Sequence, residues 1–486
     1  MHRRQFLRLT PVPVLLSSRP SAAAQAVAPA SPADVRFEAI ATLIARKMRE
    51  YRVPGVGLGV VVDGATTVRG FGVTSLDDPT PVTSDTLFTI ASISKTITAT
   101  AVMRLVELGT LDLRAPIQRY LPEFRVLDDE TSRTVSLWHC LTHTPGWEGQ
   151  LTTEDRGAGA LAHFASTIMP TLPQLAPAGR VWSYNNAGFA LTGRVIEVVT
   201  GKSIHDALDE LVFAPLGLSH TVTRLTDAMT WRYTLGHRDR AGAAEVVRPF
   251  QTTSSTTAGG VLTSIADLMR YARFHLGDGR TAGGTPHLSR AGLGLMQTTQ
   301  LAKNATTDGM GLGWHTRSVG GVATLAHGGT LNGHCLLLQL VPARALAFTV
   351  LTNHVEGWRL VQDVEAAILE TYAGVALAPG QIVGHRGINE AMTSHATALA
   401  RPPDPDLYVG TYQRPPVGTV QVRRVGAQLV VATGGGSPEA PVAFYGPDVA
   451  YALSGQYTGM PYEFIRDDDG LVQWIRVNGR IARRAG

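Results

Sequence analysis

Hydrophobic positions change their spacing along the chain, and each change marks a different predicted element. Apolar residues within 34–52 recur three and four positions apart, which predicts an amphipathic helix. Residues 53–62 are rich in β-branched side chains, and Asp63-Gly64 leads from them into a second β-rich run at 66–73. Because Asp-Gly is a typical two-residue hairpin connection, we expect two antiparallel strands here.

The same spacing rules predict further helices and strands up to residue 372. Helical patterns, two of them closed by Gly109 and Gly201, cover residues 93–108, 187–199, 203–212 and 360–372. Apolar runs that predict strands cover residues 325–330, 334–341 and 345–351. Strands at both ends of this region, with helices between them, indicate a mixed α/β (α+β) domain. We expect one sheet flanked by helices and crossed by a helical insertion.

The composition changes after this region and separates a second part of the chain. Residues 375–404 are rich in Ala, Pro, His and Gly, which is typical of a linker. Short alternating runs broken by Gly, Asp and Pro follow, and they predict an all-β module. We therefore expect a main domain at 33–374, a linker at 375–404 and an all-β accessory domain at 405–486.

Residues 1–26 have the pattern of an export signal. Arg3-Arg4 begins a twin-arginine pattern, an apolar run covers 11–16, and Ala24-Gln25-Ala26 resembles a cleavage site. A disordered basic tail is the alternative interpretation. No later segment has 18 uninterrupted apolar residues, so no transmembrane helix is predicted. We expect an exported protein that is soluble in the periplasm or outside the cell.

Charge and composition exclude some function classes. With 44% hydrophobic and 17% charged residues the chain is typical of a folded globular protein. Its formal net charge is only +4, without a Lys/Arg cluster after the N-terminus, so we expect no nucleic-acid partner. No His-Glu-x-x-His or paired-Cys set occurs, so a metal-dependent hydrolase is not expected. No obligate protein partner is evident from the sequence either.

Two cysteines and four lysines are informative because they are few. Cys140 and Cys335 lie in apolar runs, so we expect buried thiols, with a single disulfide as the alternative. Arginine keeps its proton in proteins, whereas a desolvated lysine can lose it. Chemistry that needs a neutral amine therefore has four candidates, which are Lys47, Lys95, Lys202 and Lys303.

Ser92 and Lys95 form the first candidate constellation. They lie three positions apart at the start of a predicted helix, which puts both side chains on one face. A serine hydroxyl is a weak nucleophile until a base takes its proton, and a neutral, desolvated lysine can be that base. The pattern is weak by itself, since Ser92 can equally cap a helix whose Lys95 is solvated.

Two later segments carry complementary chemistry. Tyr184 and Asn186 lie on a loop before a predicted helix, where the phenol can relay a proton and the amide can bind a carbonyl group. The alternative is a packed Tyr184 with Asn186 as helix cap. At the end of a predicted strand, His327-Gly328-Gly329 lets a ligand approach the backbone, so the N–H of Thr330 can face an oxyanion. Alone, His-Gly-Gly is more often a turn.

In this order, Ser92-x-x-Lys95, Tyr184-x-Asn186 and His327-x-Gly329 resemble the three motifs of the serine β-lactamase-related superfamily. The tyrosine of the second motif is similar to the class C β-lactamase branch, which includes esterases, D-amino-acid peptidases and penicillin-binding proteins. Residues 87–91, 141–146, 214–218 and 311–314 also resemble family sequence. The likeness covers about residues 35–373. It implies a β-lactamase-like sheet with a helical subdomain, and the C-terminal module is similar to barrel-like domains appended to some members.

The resemblance also implies an acyl-transfer mechanism without a cofactor. Ser92 is expected to attack a carbonyl, Lys95 and Tyr184 to share acid and base duty, and the N–H groups of Ser92 and Thr330 to hold the oxyanion. Asn186, His327, Gly328 and Gly329 are expected to bind substrate. His327 stands where class C β-lactamases are expected to carry lysine, which favours an esterase or peptidase over a lactamase.

Three functions stay open at this point. The first is a serine hydrolase that acts on small esters or on peptide and amide bonds. The second is a β-lactamase or a D-alanyl-D-alanine carboxypeptidase, and the third is a catalytically inactive protein that binds cell-wall fragments. The intact set Ser92, Lys95, Tyr184 and Asn186 speaks against the third.

Overall fold

The computed structural model describes residues 34–150, 156–303, 308–376, 398–434, 438–454 and 458–485. The predicted export signal at 1–26 lies outside the described residues, and so does most of the predicted linker, at 377–397. Within the described ranges, no helix combines the length and the apolar character that a membrane crossing needs.

The main domain alternates short strands with helices. Its strands are β1 (Gly55–Val62), β2 (Ala65–Gly72), β3 (Leu87–Thr89), β4 (Thr221–Val222), β5 (Gly236–Arg240), β6 (Ala243–Val247), β7 (Leu262–Ser264), β8 (Leu301–Ala302), β9 (Gly309–Met310), β10 (His315–Val319), β11 (Val322–Leu331), β12 (His334–Val341) and β13 (Leu346–Thr352). Its helices are α1 (Val35–Glu50), α2 (Ser94–Glu107), α3 (Asp129–Thr134), α4 (Leu137–Leu141), α5 (Ala160–His163), α6 (Ala187–Thr200), α7 (Ile204–Leu208), α8 (Ala214–Leu216), α9 (Leu225–Ala228), α10 (Thr256–Gly259), α11 (Ile265–Leu276), α12 (Arg290–Gln297) and α13 (Gly357–Ile368).

One antiparallel sheet of eight strands forms the centre of this domain, in the order β2-β1-β13-β12-β11-β10-β9-β8. The N-terminal hairpin pairs with the C-terminal strands through β1 and β13, with Val62 opposite Leu346. The predicted sheet, built from both ends of the domain with helices inserted between them, is therefore confirmed. At the predicted hairpin turn, Asp63 and Gly64 both have positive φ, of 49° and 79°.

Helices cover both faces of the sheet. Helices α1 and α13 pack on one face, where Phe37, Ile44 and Leu360 are fully buried. Helix α11 packs on the other face against β1, and Gly57 and Gly59 allow its close approach. A Cβ atom at these glycines would lie 2.8 Å from the Ile265 side chain and 2.5 Å from that of Met269.

Both cysteine thiols are buried and free of disulfide bonds. The predicted buried thiols are thus confirmed, and the alternative of a bridge between Cys140 and Cys335 is wrong. Burial raises the pKa of the Cys140 thiol to about 12. A protonated thiol in an apolar site behaves as a small hydrophobic side chain.

The C-terminal module is a closed antiparallel barrel, which confirms the predicted barrel-like domain. Its strands are β14 (Gly410–Arg414), β15 (Gly418–Val425), β16 (Gln428–Thr433), β17 (Ala440–Gly446), β18 (Val449–Ala452), β19 (Pro461–Arg466), β20 (Val472–Val477) and β21 (Arg480–Arg484). Inward residues alternate with outward ones, as in β15, where Val420 and Val422 are buried between exposed neighbours. This is the pattern of a small barrel whose interior is filled by side chains.

The barrel docks on the main domain through its last hairpin, β20–β21. The Trp474 indole donates to the Leu175 carbonyl over 2.8 Å, and the Ile481 N–H donates to Ser183 Oγ over 3.2 Å. Arg476 is 5% exposed, and it donates to the carbonyls of Trp182 and Lys303 and to the Glu463 carboxylate. The barrel is therefore joined to the main domain by buried directional bonds.

We expect Arg476→Met to lower the free energy of unfolding by about 3 kcal/mol, because it leaves two interface carbonyls and the Glu463 carboxylate without their donor. Urea denaturation followed by tryptophan fluorescence measures the loss. The matched control is Arg423→Met, which removes an exposed barrel ion pair with Glu439 and should cost less than about 1 kcal/mol. Equal losses in the two variants would contradict the role given to the buried arginine.

Candidate functional site

Ser92 lies in a short turn of 3₁₀ helix (Ala91–Ile93) directly before α2. Ala91 has a φ of 47°, a left-handed conformation that alanine rarely adopts. Gly329 of β11 lies against this turn, and a Cβ atom there would be 2.5 Å from the Ile90 carbonyl oxygen. The glycine of the third motif thus allows β11 to run beside the turn that holds Ser92.

Lys95 lies next to Ser92, with 3.3 Å between Nζ and Oγ. The lysine side chain is fully buried, and Nζ also donates to the Ala258 carbonyl. Burial lowers the pKa of Lys95 well below its usual range, and the positive charge of Arg480 lowers it further. Because Lys95 is buried, the alternative of a solvated lysine is wrong. A neutral amine 3.3 Å from Ser92 Oγ can accept the serine proton.

Tyr184 covers the other side of Lys95. Its ring centre lies 4.9 Å from Lys95 Nζ, and its backbone N–H donates to the Gly479 carbonyl of the barrel over 2.8 Å. The His143 ring lies 4.6 Å from the tyrosine ring, and His143 Nδ1 accepts the N–H of Asn185. The loop that carries Tyr184 is thus held both by the main domain and by the barrel.

Asn185 and Asn186 have different roles in the structure, although the sequence analysis considered Asn186 alone, as a carbonyl-binding amide or as a helix cap. The buried Asn185 side chain accepts the N–H of Gly188 and donates to the Trp147 carbonyl, so it anchors the start of α6. Asn186 is the N-cap residue of α6, but its side chain accepts no capping hydrogen bond. Of the two asparagines, Asn186 is therefore the one whose amide is not committed to the helix start.

Trp147 and Glu148, in the loop after α4, are both buried at 1% exposure. Trp147 packs near Phe124, with 6.2 Å between ring centres. The Glu148 carboxylate faces Arg414 of the barrel, 3.6 Å from its guanidinium nitrogen. Both residues therefore support the structure around the Tyr184 loop, and Glu148 adds a contact to the barrel.

The end of β11 carries the third motif. The hairpin between β11 and β12 turns at Asn332-Gly333, which both have positive φ, so the flanking residues Leu331 and His334 form a hydrogen-bonded pair. Such pairs alternate along an antiparallel ladder, so the next pair, Thr330 and Cys335, is not hydrogen-bonded. The N–H of Thr330 therefore points away from β12 and is not used in the pairing of these two strands.

His327 is fully buried and electrically neutral. Its Nδ1 donates to the Gly328 carbonyl over 2.7 Å, which leaves Nε2 as the acceptor atom of the ring. Burial lowers the pKa of His327 to about 3, and the neighbouring Lys95 adds to the shift. Its ring centre lies 6.4 Å from that of Tyr184 and 4.9 Å from that of His315.

Two basic residues lie near the site. The sequence analysis missed Arg480, and it named Lys303 only as one of four candidates for a neutral amine. Arg480, on β21 of the barrel, places its guanidinium 5.2 Å from the centre of the Tyr184 ring. Lys303 places Nζ 3.2 Å from His315 Nδ1, and burial lowers its pKa to about 8. Asn478-Gly479 is a hairpin pattern that predicts the turn before Arg480, but no local pattern indicates which part of the main domain that turn contacts.

Among the described residues, the structure brings Ser92, Lys95, Tyr184 and the His327–Thr330 strand end to one cleft, at the edge of the barrel. The same ranges contain no group of three or more His, Cys, Asp or Glu residues that is arranged to hold a metal ion. The groups at this cleft are a hydroxyl, a neutral amine, a phenol, a neutral imidazole and a guanidinium. They can activate a nucleophile, move a proton and hold negative charge.

The chain matches one protein family over residues 40–373, the Beta-lactamase family. It is 35% identical over 351 residues to penicillin-binding protein 4 of Amycolatopsis lactamdurans, covering 70% of this chain and 90% of that protein. Solved structures of SurE resemble it over 93% of its length. One SurE structure has a TM-score of 0.77 and 28% sequence identity, and the match covers 99% of its chain. A second, SurE with D-Leu, has a TM-score of 0.75 and 25% sequence identity, and the match covers its whole chain. A class C β-lactamase from Rhodobacter sphaeroides matches 68% of this chain and 99% of its own, with a TM-score of 0.56 at 25% identity.

Proposed function

This chain belongs to the β-lactamase family of serine hydrolases and penicillin-binding proteins, and we propose that it hydrolyses small esters or peptide and amide bonds through an acyl-enzyme on Ser92. The observation that carries the proposal is the distance of 3.3 Å between Ser92 Oγ and the Nζ of a fully buried Lys95. A lysine kept neutral by burial is the base that such a serine needs.

The proposed reaction has two balanced halves. Lys95 takes the proton of Ser92 as Oγ attacks the carbonyl carbon, and the N–H groups of Ser92 and Thr330 hold the resulting oxyanion. Tyr184 passes a proton to the leaving group and is reprotonated from Lys95, so the acyl-enzyme forms with no net change in protons. Water then attacks the acyl carbon and loses a proton to the same pair, which returns a proton to Ser92 Oγ as the bond to the acyl group breaks and the acid product leaves.

The remaining predicted residues have supporting roles in this proposal. The Asn186 amide binds a substrate carbonyl beside Tyr184, and Gly328 and Gly329 let the substrate lie close to β11. Neutral His327 supplies a ring acceptor where a lysine would supply a positive charge. Export of the protein through residues 1–26 stays a prediction.

Arg480 of the barrel favours one class of substrate. Arg480 lies beside Tyr184 and Lys95, and a guanidinium pairs with a carboxylate in a bidentate manner. D-Leu, which is named with one SurE structure, is an amino acid with a free carboxylate. We therefore propose substrates that carry a carboxylate on the leaving-group side, such as peptides that end in a D-amino acid.

A matched pair of substrates tests this proposal: a dipeptide ending in D-leucine and its C-terminal amide. Arg480→Met should raise KM for the free acid about tenfold or more and leave the amide nearly unchanged, because only the acid loses a charged partner. It should also move the acid limb of the pH–rate profile to higher pH, since Arg480 lowers the pKa of Lys95.

The control for this pair is Arg483→Met, an exposed arginine on the same strand, which should change neither KM nor the acid limb. An equal rise in KM for the free acid and for the amide in Arg480→Met would contradict the proposed contact with the substrate carboxylate. If the protein cleaves nitrophenyl esters but neither dipeptide, it is an esterase and the proposed peptidase activity is wrong.

A second candidate function is penicillin recognition, favoured by the 35% identity to a penicillin-binding protein. It requires a covalent adduct of a penicillin on Ser92, which intact-protein mass spectrometry detects. The imidazole of His327 argues against efficient lactam hydrolysis, because it is neutral where a lysine charge is expected. Turnover of no ester, peptide or lactam would instead support the third function, a protein that only binds cell-wall fragments.

A further inference from the structure

Lys303 directly follows β8, where the barrel docks on the main domain, and its side chain contacts a neighbour of the third motif. Nζ lies 3.2 Å from His315 Nδ1 and 5.2 Å from the centre of the Trp182 ring. The backbone carbonyl of Lys303 accepts a hydrogen bond from Arg476 of the barrel over 2.8 Å. The His315 ring centre in turn lies 4.9 Å from that of His327. One side chain therefore separates Lys303 from the third motif.

The charged side chains around Lys303 leave one positive charge unbalanced among the described residues. The Asp308 carboxylate is paired with Arg317 over 2.8 Å, and Glu463 of the barrel is paired with Arg476 over 2.6 Å. Burial lowers the pKa of Lys303 to about 8, with the two carboxylates raising it and the two arginines lowering it. Because each carboxylate already has an arginine partner, the ammonium of Lys303 is the charge that remains below pH 8.

Hydrogen bonding fixes the proton positions on the two imidazole rings. An ammonium group donates and has no acceptor atom, so His315 Nδ1 accepts from Lys303 and the ring proton of His315 is on Nε2. The Gly328 carbonyl only accepts, so the proton of His327 is on Nδ1. The charge of Lys303 also reaches His327, because the pKa of His327 is lowered by burial and further by Lys95 and Lys303.

We propose that Lys303 is a positioning residue of this site: its ammonium fixes the ring proton of His315 and keeps a positive charge behind His327 while negative charge forms on the substrate carbonyl oxygen. A charge in a site of low dielectric constant acts over several ångströms, so it can stabilise an oxyanion without touching it. The inference rests on the proposed acyl-enzyme function and deepens it, because it names a charge that makes the reaction depend on alkaline pH. Loss of the Lys303 proton removes this charge and releases the His315 tautomer.

The pH dependence of kcat/KM for nitrophenyl acetate tests this role, because this substrate has no carboxylate for Arg480 to bind. The wild-type rate should fall about tenfold as pH rises through about 8, where Lys303 loses its charge. Lys303→Met should show the lowered rate already at pH 7 and have no alkaline limb. The loss should appear in kcat, with KM changed less than about twofold, since Lys303 does not contact the substrate.

Lys303→Arg is the conservative variant that separates charge from packing. A guanidinium keeps its proton throughout this pH range, so the variant should retain most of the wild-type rate at pH 7 and keep that rate above pH 8. A merely structural role of Lys303 predicts the opposite result, in which both variants lose activity and the alkaline limb of the remaining rate is unchanged.

The matched control is Lys202→Met, which removes an exposed lysine paired with Glu210 and should change neither the rate nor the alkaline limb. A wild type without an alkaline limb near pH 8 would overturn the inference, as would a limb that persists in Lys303→Arg or Lys303→Met. In these cases acylation of Ser92 is unaffected and the proposed function stands. Absence of nitrophenyl acetate hydrolysis, or hydrolysis that Ser92→Ala leaves unchanged, would instead contradict the proposed function itself.

Discussion

Ser92→Ala is expected to lower kcat/KM by about 10⁴-fold on every substrate that the protein hydrolyses, because no acyl-enzyme can form without the hydroxyl. Two measurements check this result: the steady-state rate with a nitrophenyl ester, and intact mass after rapid quenching. The wild type should carry the mass of the acyl group, and the variant should not.

Ser94→Ala is a useful control because it removes a hydroxyl two residues away. That hydroxyl donates to the Ala91 carbonyl and accepts the N–H of Val261, so it supports the turn without reaching the reacting atoms. The control should unfold at a lower temperature and still become acylated. An acyl adduct that forms in Ser92→Ala but not in Ser94→Ala would assign the nucleophile elsewhere.

Lys95→Met is expected to lower kcat/KM by about 10³-fold, the usual contribution of a positioned general base. The wild-type rate should fall on the acid side as pH drops through the lowered pKa of Lys95, because the protonated amine cannot accept the Ser92 proton. The residual rate of Lys95→Met should lack this limb. A variant that retains the wild-type acid limb would show that another group titrates there.

The same variant is expected to be more stable than the wild type near neutral pH. Between the lowered pKa of Lys95 and its usual value of 10.5, the unfolded chain binds a proton that the folded protein does not. Unfolding of the wild type therefore becomes easier as pH falls through this window, and stability rises with pH. Methionine has no proton to bind, so Lys95→Met should lose this dependence. Thermal unfolding between pH 7 and 10 measures both effects.

Local patterns were sufficient for much of the fold. The Asp63-Gly64 hairpin, the helix after Ser92 and the helix that begins at Ala187 were predicted because spacing and turn chemistry act over a few residues. The alternating runs of the C-terminal module predicted strands for the same reason. The spacing of Ser92 and Lys95 likewise determined that the two side chains share one face.

The sequence did not predict which distant segments surround the site residues. Burial of Lys95, which makes it a base, depends on Ala258, Tyr184 and Phe189, residues far away in the chain. The direction of the Thr330 N–H follows from the pairing of β11 with β12, which a single strand pattern does not contain. The division of roles between Asn185 and Asn186 also became visible only with the His143 loop in place.

The sequence by itself thus determined which groups carry the chemistry: a serine and a lysine at helical spacing, a tyrosine on a loop, and a glycine-rich strand end. Only the tertiary structure decided what surrounds them. It buried Lys95 and placed Arg480 of the barrel beside the Tyr184 ring. The physical reason is that residue identity, helical spacing and turn chemistry depend on a few neighbouring residues. Desolvation and the local charge depend on segments far apart in the sequence, which meet only in the folded chain.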